Sequence, residues 1–181
     1  MTETQLRDEE KKLLLKIARG TIEGYVRTGQ RPALPESLPA SVRGRQGAFV
    51  TLHKRGQLRG CIGTFLPTEP SVALEVIHNA ISAATRDPRF PPVRPAELEG
   101  LDIKVDVLST PEPVNGPEDL DARRYGVIVE ATRGWHRRGL LLPDLEGVDT
   151  VEEQIRICRL KAGIGAEEPI KLMRFEVARY M

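Results

Sequence analysis

The residues best suited to chemistry are Arg59 and Cys61, within Leu58-Arg59-Gly60-Cys61-Ile62-Gly63-Thr64. A thiol attacks electrophiles or binds metal as the thiolate, a form that a neighbouring guanidinium favours. The stretch follows an apolar run, Gly47 to His53, across a polar turn, Lys54-Arg55-Gly56-Gln57. Two such runs joined by a short Gly-containing loop predict a β-hairpin. Side chains alternate along a strand, so Arg59, Cys61 and Gly63 are expected on one face and Leu58, Gly60 and Ile62 on the other. Arg59 and Cys61 would then stand about 7 Å apart along the backbone. Glycine weakens a strand and tends to sit where a backbone or a ligand comes close. On that argument Gly60 and Gly63 are candidate binding positions beside Cys61. The competing reading makes Cys61 a small buried hydrophobe, because free cysteine is among the most buried residue types.

Asp87-Pro88-Arg89-Phe90-Pro91-Pro92 is a second constellation, a rigid charged turn. Arginine suits planar, bidentate partners, so Asp87 and Arg89 are candidates for holding a small anionic or amide-bearing ligand. The alternative is a helix-ending turn with Phe90 in the core and Asp87 paired to Arg89 or Arg59. The expected site joins this turn to the Arg59–Cys61 face. No metal site is expected, because His53, His78 and His136 lack an H-x-x-x-H or C-x-x-C partner. Gly163-Ile164-Gly165 lacks the third glycine and preceding strand of a dinucleotide fingerprint, so no cofactor is expected. Arg133, Arg137 and Arg138 surround Trp135 in a small basic tip. Stacking plus cations can contact single-stranded nucleic acid, but a formal net charge of +1 gives no electrostatic reason to expect it.

The elements that must position these residues follow from hydrophobic period. Arg7 to Arg27 reads as a helix whose stripe includes Leu14, Ile17, Ala18 and Ile22, with Gly20 and Gly24 as places for close packing. A proline-bearing connector, Gln30 to Gln46, carries Pro32, Pro35 and Pro39 and is anchored by Leu34, Leu38 and Val42. After the hairpin, Ser71 can cap a helix that runs to Arg86, where Pro88 discourages its continuation. Leu101 to Leu108 alternates as a half-buried strand with a wet face of Asp102, Lys104 and Asp106. Pro111 to Pro117 reads as a loop. Gly126–Ala131 and Gly139–Pro143 read as strands, Thr150 as the cap of a helix closed by Gly163, and Ile170–Tyr180 as one last strand. Tight turns between strands predict a mostly antiparallel sheet with flanking helices, an α+β fold in one domain of two lobes.

The chain is 181 residues long with 40% hydrophobic and 29% charged residues, ordinary for a globular protein. Cys61 and Cys158 lie far apart, without the spacing of a disulfide framework. The polar, acidic opening does not resemble a signal or transit peptide, and no apolar run reaches membrane-spanning length. A cytoplasmic protein without membrane contact is expected.

The string LRGCIGTF, with VTL before it and AATRDPRFPPV after it, resembles the signature of the AMMECR domain family. The resemblance continues in Leu101 to Ser109, in Gly139-Leu140-Leu141-Leu142-Pro143, and in Cys158 to Ile164, which reads RLKAGI after the cysteine where the family has a shorter C-x-K-A-G-L stretch. It implies a compact α+β domain of two subdomains. It also implies company: such domains often accompany, or are fused to, Memo-like and radical SAM proteins. It implies no particular reaction. Two functions stay open: an enzyme or enzyme component with a cleft around Cys61, or a non-catalytic binding module using the same face.

Overall fold

The computed structural model describes residues 3–34 and 37–181; Pro35 of the connector lies outside them. In chain order the regular elements are α1 (Glu3–Thr28), β1 (Ala48–Lys54), β2 (Gln57–Thr64), α2 (Val72–Thr85), β3 (Leu101–Leu108), β4 (Glu112–Val114), β5 (Gly126–Ala131), β6 (Arg138–Leu141), α3 (Val151–Ala162), β7 (Ile170–Phe175) and β8 (Val177–Tyr180). The strands form two four-stranded sheets, ordered β2-β1-β3-β8 and β4-β7-β5-β6. The fold is α+β, and the hairpin, β1–β3 and second-sheet pairings are antiparallel.

The β1–β2 hairpin closes through Arg55 and Gly56, whose φ values of 53° and 76° are both positive. Positive φ at both central positions is the type I′ combination, whose twist matches that of the flanking strands. Past Lys54 the polar turn therefore does what its sequence suggests.

Two compact units divide the chain: one runs through Val107 and takes back Ala178–Met181, the other is Leu108–Val177. In the first, α2 lies on β1 and β2, and α1 packs on α2. Leu14, Ala18 and Ile22 of α1, Val72, Val76 and Ala80 of α2, and Val50, Leu52 and Val105 of the sheet are fully or almost fully buried together. Each large aliphatic side chain removed from water contributes roughly 1.5–3 kcal/mol. Ser71 caps α2, its hydroxyl accepting from the Leu74 N–H at 3.3 Å. Gly20 and Gly24 have no packing role, since an added Cβ meets nothing at either.

In the second unit α3 covers Val127, Val129 and Ala131 of β5, and Cys158 sits in that core as its position on the helix stripe predicts. Thr150 caps α3 by accepting from the Glu153 N–H, and Gly163 ends it in the left-handed region at φ 63°. Two expectations need correction. The Pro111–Pro117 loop contains the short strand β4, which pairs with β7. The C-terminal alternation is two strands in different sheets, because the chain breaks at Glu176, whose N–H and C=O bond to Ser109 instead of to a ladder.

Candidate functional site

β2 is an edge strand of its sheet, and an edge leaves N–H and C=O groups without a neighbour. At Cys61 the turn after α2 supplies one. The Cys61 N–H donates to Asp87 Oδ2 at 2.8 Å, and the Cys61 C=O accepts from Arg89 Nη2 at 3.3 Å. The two side chains are locked to each other as well. Arg89 Nε and Nη2 donate to the two carboxylate oxygens at 2.9 and 2.7 Å, and the Arg89 backbone N–H adds a bond at 3.0 Å. Pro88 between them supplies the stiffness that a two-residue clamp of this kind needs.

The Asp87 side chain is 2% exposed and that of Arg89 54%. Arg89's hydrogen bond is the chief reason that the Asp87 carboxyl is held far below the usual carboxylate range; the Cys61 N–H assists, and burial opposes. The same bond chiefly favours Arg89's charge, with burial opposing it and the Asp87 charge assisting.

Cys61 as a whole is half-buried, and its sulfur lies 3.2 Å from Thr51 Oγ1, directly across the ladder on β1. Thr51 is paired on its other side with Lys104 of β3. Cys61, Thr51 and Lys104 therefore form a row on the sheet face turned away from α2. The next row holds Gly63, Phe49 and Asp106. Asp106 does not lie on a wet face as its alternation suggests: its side chain is 1% exposed, with Arg179 at 3.1 Å and Lys104 at 3.6 Å. Two cations around one carboxylate offset the cost of burying it.

Three details of the sequence reading change. The β1–β2 register shifts between Leu52 and His53, leaving Arg59 without a cross-strand partner. An extra residue of this kind interrupts simple alternation, and the Arg59 guanidinium is used elsewhere. It grips Glu97 through Nε at 3.0 Å and Nη2 at 3.1 Å, and Lys54 Nζ joins the same carboxylate at 3.0 Å. That contact with Arg59 is the main reason the Glu97 carboxyl is drawn down to about 2. The guanidinium bound to the cysteine's backbone is Arg89's. The glycines are explained by packing: a Cβ on Gly60 would strike the Ala83 carbonyl of α2, and one on Gly63 would strike the Phe49 ring. Neither leaves ligand space at its own position.

The thiol of a half-buried cysteine beside a hydroxyl and a guanidinium can act as a nucleophile or hold an anion. The hydrogen-bond partner of the sulfur is a hydroxyl, not an imidazole. Asp87 is already occupied by four donor contacts and is a poor proton acceptor. Among the described residues no three His, Cys, Asp or Glu side chains come together in a way that could hold a metal ion, and no helix is long and apolar enough to cross a membrane.

The AMMECR1 family profile matches residues 15–180. A Thermotoga maritima protein is 57% identical, over 92% of this chain and 95% of its own length. A Methanothermobacter thermautotrophicus protein is 48% identical, over 86% and 83% respectively. The chain belongs to the AMMECR1 family. Among solved structures, the crystal structure of an uncharacterised Pyrococcus horikoshii protein is similar at a TM-score of 0.85 and 34% identity, covering 94% of this chain and 90% of that one. A longer Clostridium acetobutylicum protein is 43% identical, with this chain spanning 38% of its length.

In this AMMECR1 chain, sequence reasoning missed Glu75 and Asn79. Both are completely buried on α2. Glu75 accepts from the Thr64 hydroxyl, the Thr68 N–H and hydroxyl, and the Glu69 N–H. Burial opposes its charge most strongly, yet those four donors together hold its carboxyl below the usual range. Asn79 Nδ2 donates to the Ala48 carbonyl at 3.0 Å and to Thr64 Oγ1 at 3.2 Å. The available signal was the i, i+4, i+7 spacing of Glu75, Asn79 and Ser82, a polar line running through an apolar helix. Glu75 and Asn79 anchor Thr64, the last residue of β2, on the strand that carries Cys61.

Proposed function

We propose that this AMMECR1 protein is an enzyme component that presents the Cys61 thiol, with the Arg89 guanidinium beside it, to a small anionic or electrophilic metabolite. The observation that carries this reading is the clamp on Cys61. Asp87 and Arg89 hold both its N–H and its C=O, and the residue is only half-buried. A group fixed at its backbone costs little further ordering when it reacts. Resemblance to domains that travel with Memo-like and radical SAM proteins supports placing the reaction in that company. The longer Clostridium relative, in which the matching region is only part of the chain, is consistent with a domain that works joined to others.

One observation favours the non-catalytic alternative: the acidic groups around the site, Asp87 and Glu97, are both consumed by arginines, so neither carboxylate is free to act as a base. A nucleic-acid partner has less support, because Arg137 and Arg138 of the basic tip are paired with Glu168 and Glu130.

The deciding experiment replaces Cys61 with serine in a host that carries the Memo-like and radical SAM partners. Loss of pathway turnover with intact fold and partner binding supports the enzyme component. Loss of binding supports the module. Retention of both removes Cys61 from either role.

A further inference from the structure

We propose that the groove at the open end of β7, in the second unit, binds an extended peptide carrying acidic side chains among apolar ones. β7 has six residues, and β4 covers only part of it, from Arg174 to Leu172. Along an antiparallel pair, alternate residues turn their N–H and C=O toward opposite neighbours. The Thr132 N–H bonds to the Pro169 C=O, so Pro169, Lys171 and Met173 face β5, and Ile170 faces the β4 side. There β4 has already ended, at Val114. The ladder is thus one short step from being continued by an added strand, a recurrent mode of peptide capture.

What surrounds that edge is a groove rather than a flat surface. It encloses about 630 Å³, with Val114, Ile155 and Leu172 among its apolar walls. Asn115, Gly116 and Pro117, just past the end of β4, complete its rim.

The charge at the groove selects the occupant. Lys171 and Arg159 line it. Arg159 donates to the carbonyls of Gly165 and Glu168, which do not neutralise it. Glu168 is paired with Arg137, and Glu130, the one acid in the lining, is taken by Arg138. The positive surplus therefore calls for a carboxylate, the apolar walls for aliphatic side chains, and the strand edge for a backbone. An extended peptide with alternating acidic and aliphatic residues meets all three requirements.

The test selects binders from a random dodecapeptide display library on the full chain. Affinity of the selected peptide is then measured by fluorescence anisotropy for the native protein, Lys171→Glu, Ile170→Pro and Cys61→Ser. Selected sequences should combine Asp or Glu with aliphatic residues. Charge reversal at the exposed Lys171 should weaken binding about three- to tenfold. Ile170→Pro removes an N–H that faces no strand, a position where proline is tolerated, and should weaken binding further with an unchanged circular dichroism spectrum. Cys61→Ser should bind normally. Failure to enrich acidic–aliphatic sequences overturns the proposal. So does equal affinity for Lys171→Glu and the native protein. Binding of an apolar anion such as anilinonaphthalene sulfonate in the groove, with no peptide competing for it, also overturns it in favour of a small-molecule site.

Discussion

Replacing Arg89 with methionine keeps most of its aliphatic stem but removes the charge that compensates Asp87. The carboxylate left behind is 2% exposed and retains two donors, the N–H groups of Cys61 and Arg89. Stranding one member of a buried pair costs about 3–5 kcal/mol. With two donors retained, the lower end, about 3 kcal/mol at pH 7, is expected. The reverse change, Asp87→Asn, strands a guanidinium that is 54% exposed and that water can solvate. What it mainly loses is an ideal acceptor for the Cys61 N–H, at about 1–2 kcal/mol. Removing the more exposed partner should therefore hurt more. Adding Asp87→Asn to Arg89→Met should restore stability, because it removes the stranded charge.

Calorimetric melting at pH 7 reads these differences. For a chain of this size each kcal/mol shifts the melting temperature by about 2–4 °C, so Arg89→Met should melt about 6–12 °C below the native protein. The pH dependence has a definite sign. Asp87's folded carboxyl lies below its unfolded value, so its contribution is complete above the ordinary aspartate range near pH 4 and is lost as pH falls through and below it. The gap between native protein and Asp87→Asn should narrow from pH 5 to pH 3. The reasoning fails if Asp87→Asn costs as much as Arg89→Met at pH 7, or if the double variant is no more stable than Arg89→Met.

Other consequences are equally direct. Iodoacetamide should label the native protein only at Cys61, because burial pushes the Cys158 thiol up to about 12; mass spectrometry should find the second site labelled only after denaturation. Gly60→Ala should destabilise by about 1–3 kcal/mol in urea titration, since the new methyl meets the Ala83 backbone of α2; an unchanged midpoint would contradict that packing. Glu97→Gln should remove the stability that the Arg59 and Lys54 contacts provide above the ordinary glutamate range near 4.5. The native protein's advantage should disappear as pH falls toward about 2. Glu75→Gln replaces an acceptor-only carboxylate with an amide that must point an N–H at donors, and should cost about 2–3 kcal/mol in the same titration.

Much of the architecture was readable in the chain. The hairpin, its turn, the caps at Ser71 and Thr150 and the stop at Gly163 all depend on neighbours within a few residues. So does the α+β character, because tight turns force adjacent strands to run antiparallel. The division of Ile170–Tyr180 between two sheets was not readable. Its alternation runs through Glu176 unbroken, and only a distant partner, Ser109, breaks it. Asp106 looked wet for a similar reason: alternation marks a face, but burial depends on what distant cations, Arg179 among them, bring to it.

At the candidate site, residue types and order pointed to Cys61 and the Asp87-Pro88-Arg89 turn as candidates, but left open whether Asp87 would meet a ligand, Arg89 or Arg59. Which guanidinium meets the cysteine was decided in three dimensions. A register shift at Arg59 and the reach of Glu97 withdrew one arginine, and the end of α2 delivered another across 28 residues of chain. Local interactions specify elements; partners far apart in sequence are chosen only when packing brings those elements together.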